Sequence, residues 1–576
     1  MSLQLPPPLR FPTTHLPKTK DFVVFGTDEM PLDQRIERTH RRAKAIAMSY
    51  KPTLDDVLHC SQNFWNMHLD PINGYDGAAV TLWTLQLNLS GGTLAPFVKE
   101  RPQLATLWQS YMDFSVTAHY MLTELGHGLD APNIETVAKL LPDGGFDLHT
   151  PHDRAAKHMP ASIPSGGVPR IAIVMARLNV KGHDFGVRPF VVPLNDGKTM
   201  CEGVTSRPLP TRSGSKALGH AITHFDHVKL PPDALLGSLK PPKNGRLQFL
   251  SDIWRIGVGS ICLTAVTIPA LKLAAYTVAQ YSKRRTVTNS HGQVVPLISF
   301  RTQQAPILHA LAESIVLEAL YQELRIPFTD RTATALEQRN AFSTIFKVVA
   351  VDRWRRSSIT LADRCGAQGL FEHNQIIPMQ NEIRGVTIAE GDVLVLSIRL
   401  TSELLLGRYK LPTARYPDSL LAKHEAGVFK CLKDVLTELG GKHRSEEFNQ
   451  RVLPQSVRLA EAIGSRMAYE AARDAGVDPL VLQLFEAGSI SRDMAWYSEA
   501  GLLTQKQALD AESATLTALF PHLDQLLEHT GVEPYAYAAI VSEEKWEDFM
   551  RSLPVLRGNA YVDTLNPANT KRVSKL

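Results

Sequence analysis

Several familiar signatures are missing from this 576-residue chain, and each absence removes a class of protein. Its five cysteines (Cys60, Cys201, Cys262, Cys365 and Cys431) are scattered and never form a CxxC pair. That disfavours a structural zinc cluster and a disulfide framework, and it favours a reducing compartment. There is no GxxxxGK[ST], no HExxH and no GxSxG, which removes the simple P-loop, zincin and α/β-hydrolase readings. Charge of one sign is almost absent: 62 Lys and Arg against 58 Asp and Glu leave a formal +4, no footprint for nucleic acid. Long apolar runs are missing too. The longest uncharged stretch, residues 256–271, is interrupted by Gly257, Gly259, Ser260, Thr264, Thr267 and Pro269. It is shorter than the roughly 18–20 apolar residues a membrane span needs, and reads as a buried core helix. Residues 1–17 hold no basic segment followed by an apolar run, so no secretory signal is expected there.

What remains is ordinary globular composition, 44% hydrophobic and 21% charged, at a length that asks for three to four packed units. Helical periodicity covers residues 30–120, for example 35–48 and 102–122. From about 123 to 235, short β-branched or apolar runs (171–176, 187–192 and 221–225) alternate with turn residues, suggesting a small antiparallel barrel or sandwich. Long helical segments at 253–282, 303–325, 333–365 and 393–409 make a four-helix bundle. Further helices occupy 418–550. The expected units are 1–122, a helical domain; 123–240, a β-domain; 241–415, the bundle; and 416–576, a second helical domain with a tail. The tail stops at Ser574-Lys575-Leu576, the tripeptide read by the peroxisomal import receptor.

Two motifs fail on inspection. Gly126-His127-Gly128-Leu129-Asp130-Ala131 fits GxGxxA, but the residues before it look helical and no βαβ unit follows, so a plain turn is expected. His220, His224 and His227 with Asp226 invite a metal. Alternation on a strand points His224 and His227 to opposite faces, so solvated histidines are the better reading and no metal is expected.

The anomaly lies at Thr387-Ile388-Ala389-Glu390-Gly391-Asp392-Val393-Leu394, where a carboxylate precedes a glycine at the entry to an apolar helix. A desolvated Glu390 has the raised pKa of a useful general base. Taken alone, the simpler reading is that Asp392 caps the helix and Glu390 is solvated.

Other segments alter that balance, because their order and spacing resemble the acyl-CoA oxidase branch of the acyl-CoA dehydrogenase superfamily over residues 100–530. Tyr120 to Gly128 resembles the entry to that family's flavin-facing β-domain, and Ile134-Glu135-Thr136-Val137-Ala138 the strand after it. Residues 146–151 and Phe225 to Pro231 resemble a later element and the exit. Tyr281-Ser282 with Arg284-Arg285 and Gln303-Gln304 match bundle helices that meet the flavin nucleotide. Cys365-Gly366-Ala367-Gln368-Gly369 is similar to a "CGGHG" loop, and Glu390-Gly391-Asp392 to the segment holding the base. Trp496-Tyr497, Gly501-Leu502-Leu503 and residues 519–527 resemble the oxidases' extra C-terminal domain.

The resemblance implies a mainly α fold with a central β-domain, FAD as cofactor, and α,β-dehydrogenation of an acyl-CoA thioester. Glu390 would take the α-proton while the β-hydride passes to flavin N(5), and the enolate oxygen would be held by hydrogen bonds that include the base residue's own N–H. Molecular oxygen would reoxidise the flavin, giving hydrogen peroxide. Thr123 matches the threonine at the flavin pyrimidine edge and Ala161 a glycine touching the flavin. Arg285 matches an arginine reaching the pyrophosphate of a partner's FAD, with Gly366 and Gly369 on the loop near that nucleotide. A cofactor shared in this way implies a homodimer.

The sequence also departs from the family. "KWWPGG" reads Lys157-His158-Met159-Pro160-Ala161-Ser162, Val393, Arg399 and Ser402 stand for Asn, Gln and Arg, and "CGGHG" is CGAQG. These changes point to a divergent member with an unusual acyl substrate. The rivals are a dehydrogenase of the same fold with another electron acceptor, and a flavin-free helical binding protein of the peroxisome.

Overall fold

The computed structural model describes residues 2–24, 30–128, 130–332, 334–560, 562 and 565; the terminal Ser574-Lys575-Leu576 lies outside them. Helices from Leu32–Tyr50 to Leu104–Met112 come first, nine strands occupy residues 117–230, and helices follow to Ser552, interrupted by a short hairpin of Thr286–Thr288 with Val294–Pro296. All the helical parts share one apolar core running from Leu3 to Ile540. The β-domain has a separate small core around Phe146, Leu148, Phe190 and Phe225.

The strands are β1 (Thr117–Met121), β2 (Val137–Leu140), β3 (Phe146–His149), β4 (Lys157–His158), β5 (Arg170–Val180), β6 (His183–Asn195), β7 (Val204–Pro208), β8 (Ala221–Phe225) and β9 (Val228–Leu230). The three strand segments read from β-branched runs fall on β5, β6 and β8. The expected purely antiparallel pairing does not hold. β1 and β2 both run parallel to β5, at residues 170–174 and 177–179, giving a six-stranded mixed sheet beside a three-stranded one, β4-β8-β7. Strand pairing depends on topology, which local alternation does not encode.

The helix expected over residues 102–122 also stops early. It ends at Met112, where Phe114 takes a left-handed conformation (φ 55°) and the Asp113 carboxylate accepts the Ser115 N–H at 2.8 Å. This Asx turn releases the chain into β1. The glycines at 126 and 128 therefore do follow a strand. No helical βαβ crossover follows, only the short turn Ala131–Asn133 and then β2, so they belong to a turn as expected.

In the bundle, the helix expected at 253–282 is two, Arg255–Ala265 and Thr267–Arg284, joined at Val266. Pro269 has no N–H to give the carbonyl four residues back, so the ladder breaks there. This apolar stretch is long enough in composition to cross a bilayer, but 83% of its most apolar window is buried inside the protein. Helices Arg301–Leu324 and Leu336–Asp363 pack with this pair, Val393–Leu405 packs on Leu336–Asp363, and Ser456–Asp474 of the C-terminal region lies against all three. The bundle and the C-terminal helices are thereby locked together.

Candidate active site

Where the first helical region, the β-domain and the bundle meet, the protein holds a cavity of about 1990 Å³. Thr123 and Tyr120 line it from the end of β1, His158 to Pro160 from β4, Ile253 and Leu263 from the bundle, and residues 388–392 from the turn before Val393–Leu405. Glu390 and Thr123, inferred from well-separated motifs, therefore face the same space.

The turn at Glu390 is built from local chemistry. Asp392 caps the following helix, accepting the N–H groups of Leu394 (2.9 Å) and Val395 (3.2 Å). Glu390 itself is left-handed (φ 58°) and Gly391 has φ 108°, a combination that costs a non-glycine residue about 1 kcal/mol and needs support from its surroundings. Support comes from Lys347 on Leu336–Asp363, whose ammonium donates to the carbonyls of Ala389 (2.5 Å) and Gly391 (2.6 Å). The expected cap is present, and the Glu390 carboxylate is turned inward where its segment alone would have it solvated.

The Glu390 carboxylate packs against Gly259, where any Cβ would overlap it. Its Oε2 is sealed from solvent without a hydrogen-bond partner among the described residues. Burial pushes this carboxyl well above the usual carboxylate range, while the positive charges of Lys347 and Arg255 pull it back. Neither cation is within ion-pair distance, so the carboxylate remains free to take a proton. Tyr120 faces the same region with its hydroxyl buried and unpartnered among the described residues. Burial, with the negative charges of Asp252 and Glu390, keeps that hydroxyl protonated.

The β-domain wall is held by a buried ion pair. Lys157 Nζ, fully enclosed, donates to Glu124 Oε1 at 2.9 Å and to the Met175 carbonyl at 2.7 Å. Glu124 in turn accepts the N–H groups of Glu135 and Thr136. With the His158 N–H on the Thr123 carbonyl at 3.0 Å, this fixes Thr123 against β4. His119 also faces the cavity, with both ring nitrogens unpartnered among the described residues, and burial holds it neutral.

The remaining expected site residues lie off this wall. Ala161 is buried behind Pro160, and its carbonyl accepts from Arg170. Arg285 is exposed at the end of Thr267–Arg284. Gly366 (φ 57°) and Gly369, where a Cβ would overlap the Ala362 carbonyl, shape the turn that leads to Leu370 and Phe371 on the cavity rim. The three histidines have separate partners: His220 contacts the Met159 carbonyl and Arg212, His224 contacts Asp153, and His227 contacts Asp147. His149, Asp226 and His227 do come within 4.8 Å of one another. However, the two imidazoles stack at 14°, so their in-plane lone pairs run side by side instead of converging on an ion.

Sequence reasoning missed Lys347, Gly259, Arg255, His119 and a further polar group in the cavity lining. That group includes Arg38 and Arg42 on Leu32–Tyr50, Arg42 pairing with Asp76 at 2.9 Å. It also includes Glu382, which accepts the Ser215 N–H and is pushed up to about 7 by burial. A lone lysine in Phe346-Lys347-Val348-Val349 and a glycine within an apolar helix were the available signals.

Helical domain, β-domain, bundle and C-terminal helices surround the cavity that Glu390 lines, and this architecture is shared with solved acyl-CoA oxidases. No family model matches the chain, but its curated relatives are acyl-CoA oxidases. It is 24% identical over 484 residues to a putative peroxisomal acyl-coenzyme A oxidase 1.2 of Arabidopsis thaliana, covering 78% of this chain and 72% of that one. It is 25% identical over 486 residues to peroxisomal acyl-coenzyme A oxidase 1 of the same plant, covering 79% and 72%. Among solved structures it matches acyl-CoA oxidase 1 of Yarrowia lipolytica with a TM-score of 0.79 at 17% identity, over 95% and 90% of the two chains. It matches Caenorhabditis elegans acyl-CoA oxidase-1, complexed with FAD and ATP, with a TM-score of 0.69 at 16% identity over 92% and 96%.

Proposed function

We propose that this protein is an FAD-dependent acyl-CoA oxidase, converting an acyl-CoA thioester to the trans-2-enoyl-CoA with reduction of molecular oxygen to hydrogen peroxide. The observation that carries the reading is Glu390: a carboxylate held inward on a braced turn, with one oxygen unpartnered, in the cavity that Thr123 also lines. A cavity of 1990 Å³ is about twice the upper end of an ordinary ligand pocket, which fits a cofactor and a thioester together. FAD, when bound, supplies the hydride acceptor for the β-carbon.

The chain's own residues do the rest. Glu390 takes the α-proton, and its burial gives it the proton affinity the step needs. The cavity walls align the acyl chain between carboxylate and β-domain, so that the two C–H bonds face opposite sides. Thr123, Ala161 and the unpartnered His119 would meet the flavin. Arg285, Gly366 and Gly369 would serve the nucleotide of a partner's FAD in a homodimer.

His158 and Met159 stand where the family has tryptophans, which favours a specialised acyl group over ordinary fatty chains. A peroxisomal location is supported by the peroxisomal relatives. The test is direct. The purified protein should show flavin absorbance, bleach anaerobically with one of a panel of acyl-CoAs, and release peroxide in air. No flavin after FAD addition would sink the enzymatic reading, and bleaching without peroxide would make it a dehydrogenase.

A further inference from the structure

We propose that Lys347 is a positioning residue for the base: it clamps the 389–391 turn and presents Glu390 with a buried positive charge. The proposal rests on Glu390 being the base of the reaction assigned above. Lys347 is fully enclosed in the middle of Leu336–Asp363 and has no carboxylate within ion-pair distance among the described residues. A buried ammonium without a direct counter-ion is costly, so its place needs an explanation.

Its two hydrogen bonds supply one. They go to the carbonyls immediately before and after Glu390, Ala389 at 2.5 Å and Gly391 at 2.6 Å. One nitrogen bonded to both carbonyls ties the peptide before Glu390 to the peptide after Gly391 and so pins the turn between them, which is what a left-handed non-glycine residue requires. Without the clamp, the turn is free to relax toward ordinary backbone angles and swing the carboxylate off the notch at Gly259.

The other groups facing Glu390 do not duplicate this role. Arg255, from Arg255–Ala265, uses Nε and Nη1 on the Asn88 and Val57 carbonyls and Cys60 Sγ, leaves Nη2 unpartnered among the described residues, and makes no hydrogen bond to the 389–391 turn. Cys262 of the same helix and Tyr120 of β1 are neutral, each kept protonated chiefly by burial. Asp392, on the turn itself, is occupied as the helix cap. Lys347 is therefore the cation tied to the turn that carries the base.

The test uses FAD-loaded wild type, Lys347→Met and Lys347→Arg. Anaerobic flavin reduction is followed across pH with an acyl-CoA that the wild type oxidises. Separately, the infrared band of the protonated Glu390 carboxyl, assigned by its loss in Glu390→Gln, is titrated without substrate. In Lys347→Met the maximal rate should fall about 10-fold or more, kcat more than KM, and both the acid limb and the infrared midpoint should move up by about one pH unit. Lys347→Arg, which keeps the charge, should restore the midpoint and part of the rate. Unchanged rates, or lower FAD content with an unmoved limb and midpoint, would overturn the proposal in favour of a structural lysine. If Lys347→Met yields no holoenzyme, Lys347→Arg decides: slower reduction at a wild-type midpoint supports the clamp, and a wild-type rate overturns it. A wild type that oxidises no thioester would refute the oxidase reading, while the infrared arm still tests the lysine.

Discussion

Replacing Gly259 by alanine separates activity from stability. Gly259 lies in the helix Arg255–Ala265, and the three atoms nearest to a Cβ there are Oε2, Oε1 and Cδ of Glu390, all inside contact distance. To reach an ordinary van der Waals separation, the carboxylate must retreat by roughly 1 Å or more. A misplacement of that size in a reacting group costs about 10²-fold in rate, or about 2.7 kcal/mol of transition-state stabilisation. The fold should not suffer, because what moves is the end of one side chain and alanine is the better helix former by about 0.5–1 kcal/mol. Gly259→Ala should therefore bind FAD, melt at or slightly above the wild-type temperature, and reduce its flavin about two orders of magnitude more slowly. Thermal melting, flavin content and anaerobic stopped-flow absorbance measure the three quantities. Wild-type reduction rates in a well-folded Gly259→Ala would refute both the placement of Glu390 and its assignment as the base.

Glu390→Gln keeps the shape and removes the proton acceptor, so it should abolish flavin reduction while leaving FAD bound. Residual reduction near the wild-type rate would move the base elsewhere. Because burial raises the Glu390 pKa, the base is protonated and idle in acid. Flavin reduction should rise with pH through a midpoint well above the ordinary carboxylate value of about 4.3, and a profile already flat at pH 5 would contradict the buried placement. Lys157→Met strands Glu124 in a site where both side chains are fully enclosed. It should destabilise the protein by about 3–5 kcal/mol in chemical denaturation, and a loss under 1 kcal/mol would show that the β-domain wall does not depend on the pair.

The sequence reading succeeded where a function leaves a local mark. β8 was legible because Ala221 to Phe225 alternates between turns, and the long bundle helices because their periodicity outruns any competing pattern. Glu390 read as solvated from its own segment, and only the order and spacing of distant segments pointed it toward the cavity that it lines. The failures have physical causes. Residues 113–115 carry no proline or glycine, so the turn they make depends on one side-chain hydrogen bond that periodicity cannot register. The parallel pairing of β1 and β2 with β5 joins segments far apart in the chain.

What determines the setting of the Glu390 carboxylate is the least local feature of all. Gly259 breaks up an apolar run, and from the sequence its evident effect was to weaken a membrane span; in the structure it is the notch that receives a carboxylate. Lys347 sits in an apolar helix where a charge makes no sense until the turn at 389–391 comes to meet it. Both are residues whose local cost is unexplained by their own element, a glycine weakening a helix and an ammonium out of water. Such costs persist when a distant part of the chain compensates them. Here both compensations converge on Glu390, which no single motif around residue 390 could have disclosed. A double substitution, Gly259→Ala with Lys347→Met, tests whether the two act on one position of the carboxylate. If they do, the combined loss in flavin reduction should fall well short of the product of the single losses, because once the carboxylate is displaced the second change has little left to remove. Multiplicative losses would show two independent effects and separate the notch from the clamp.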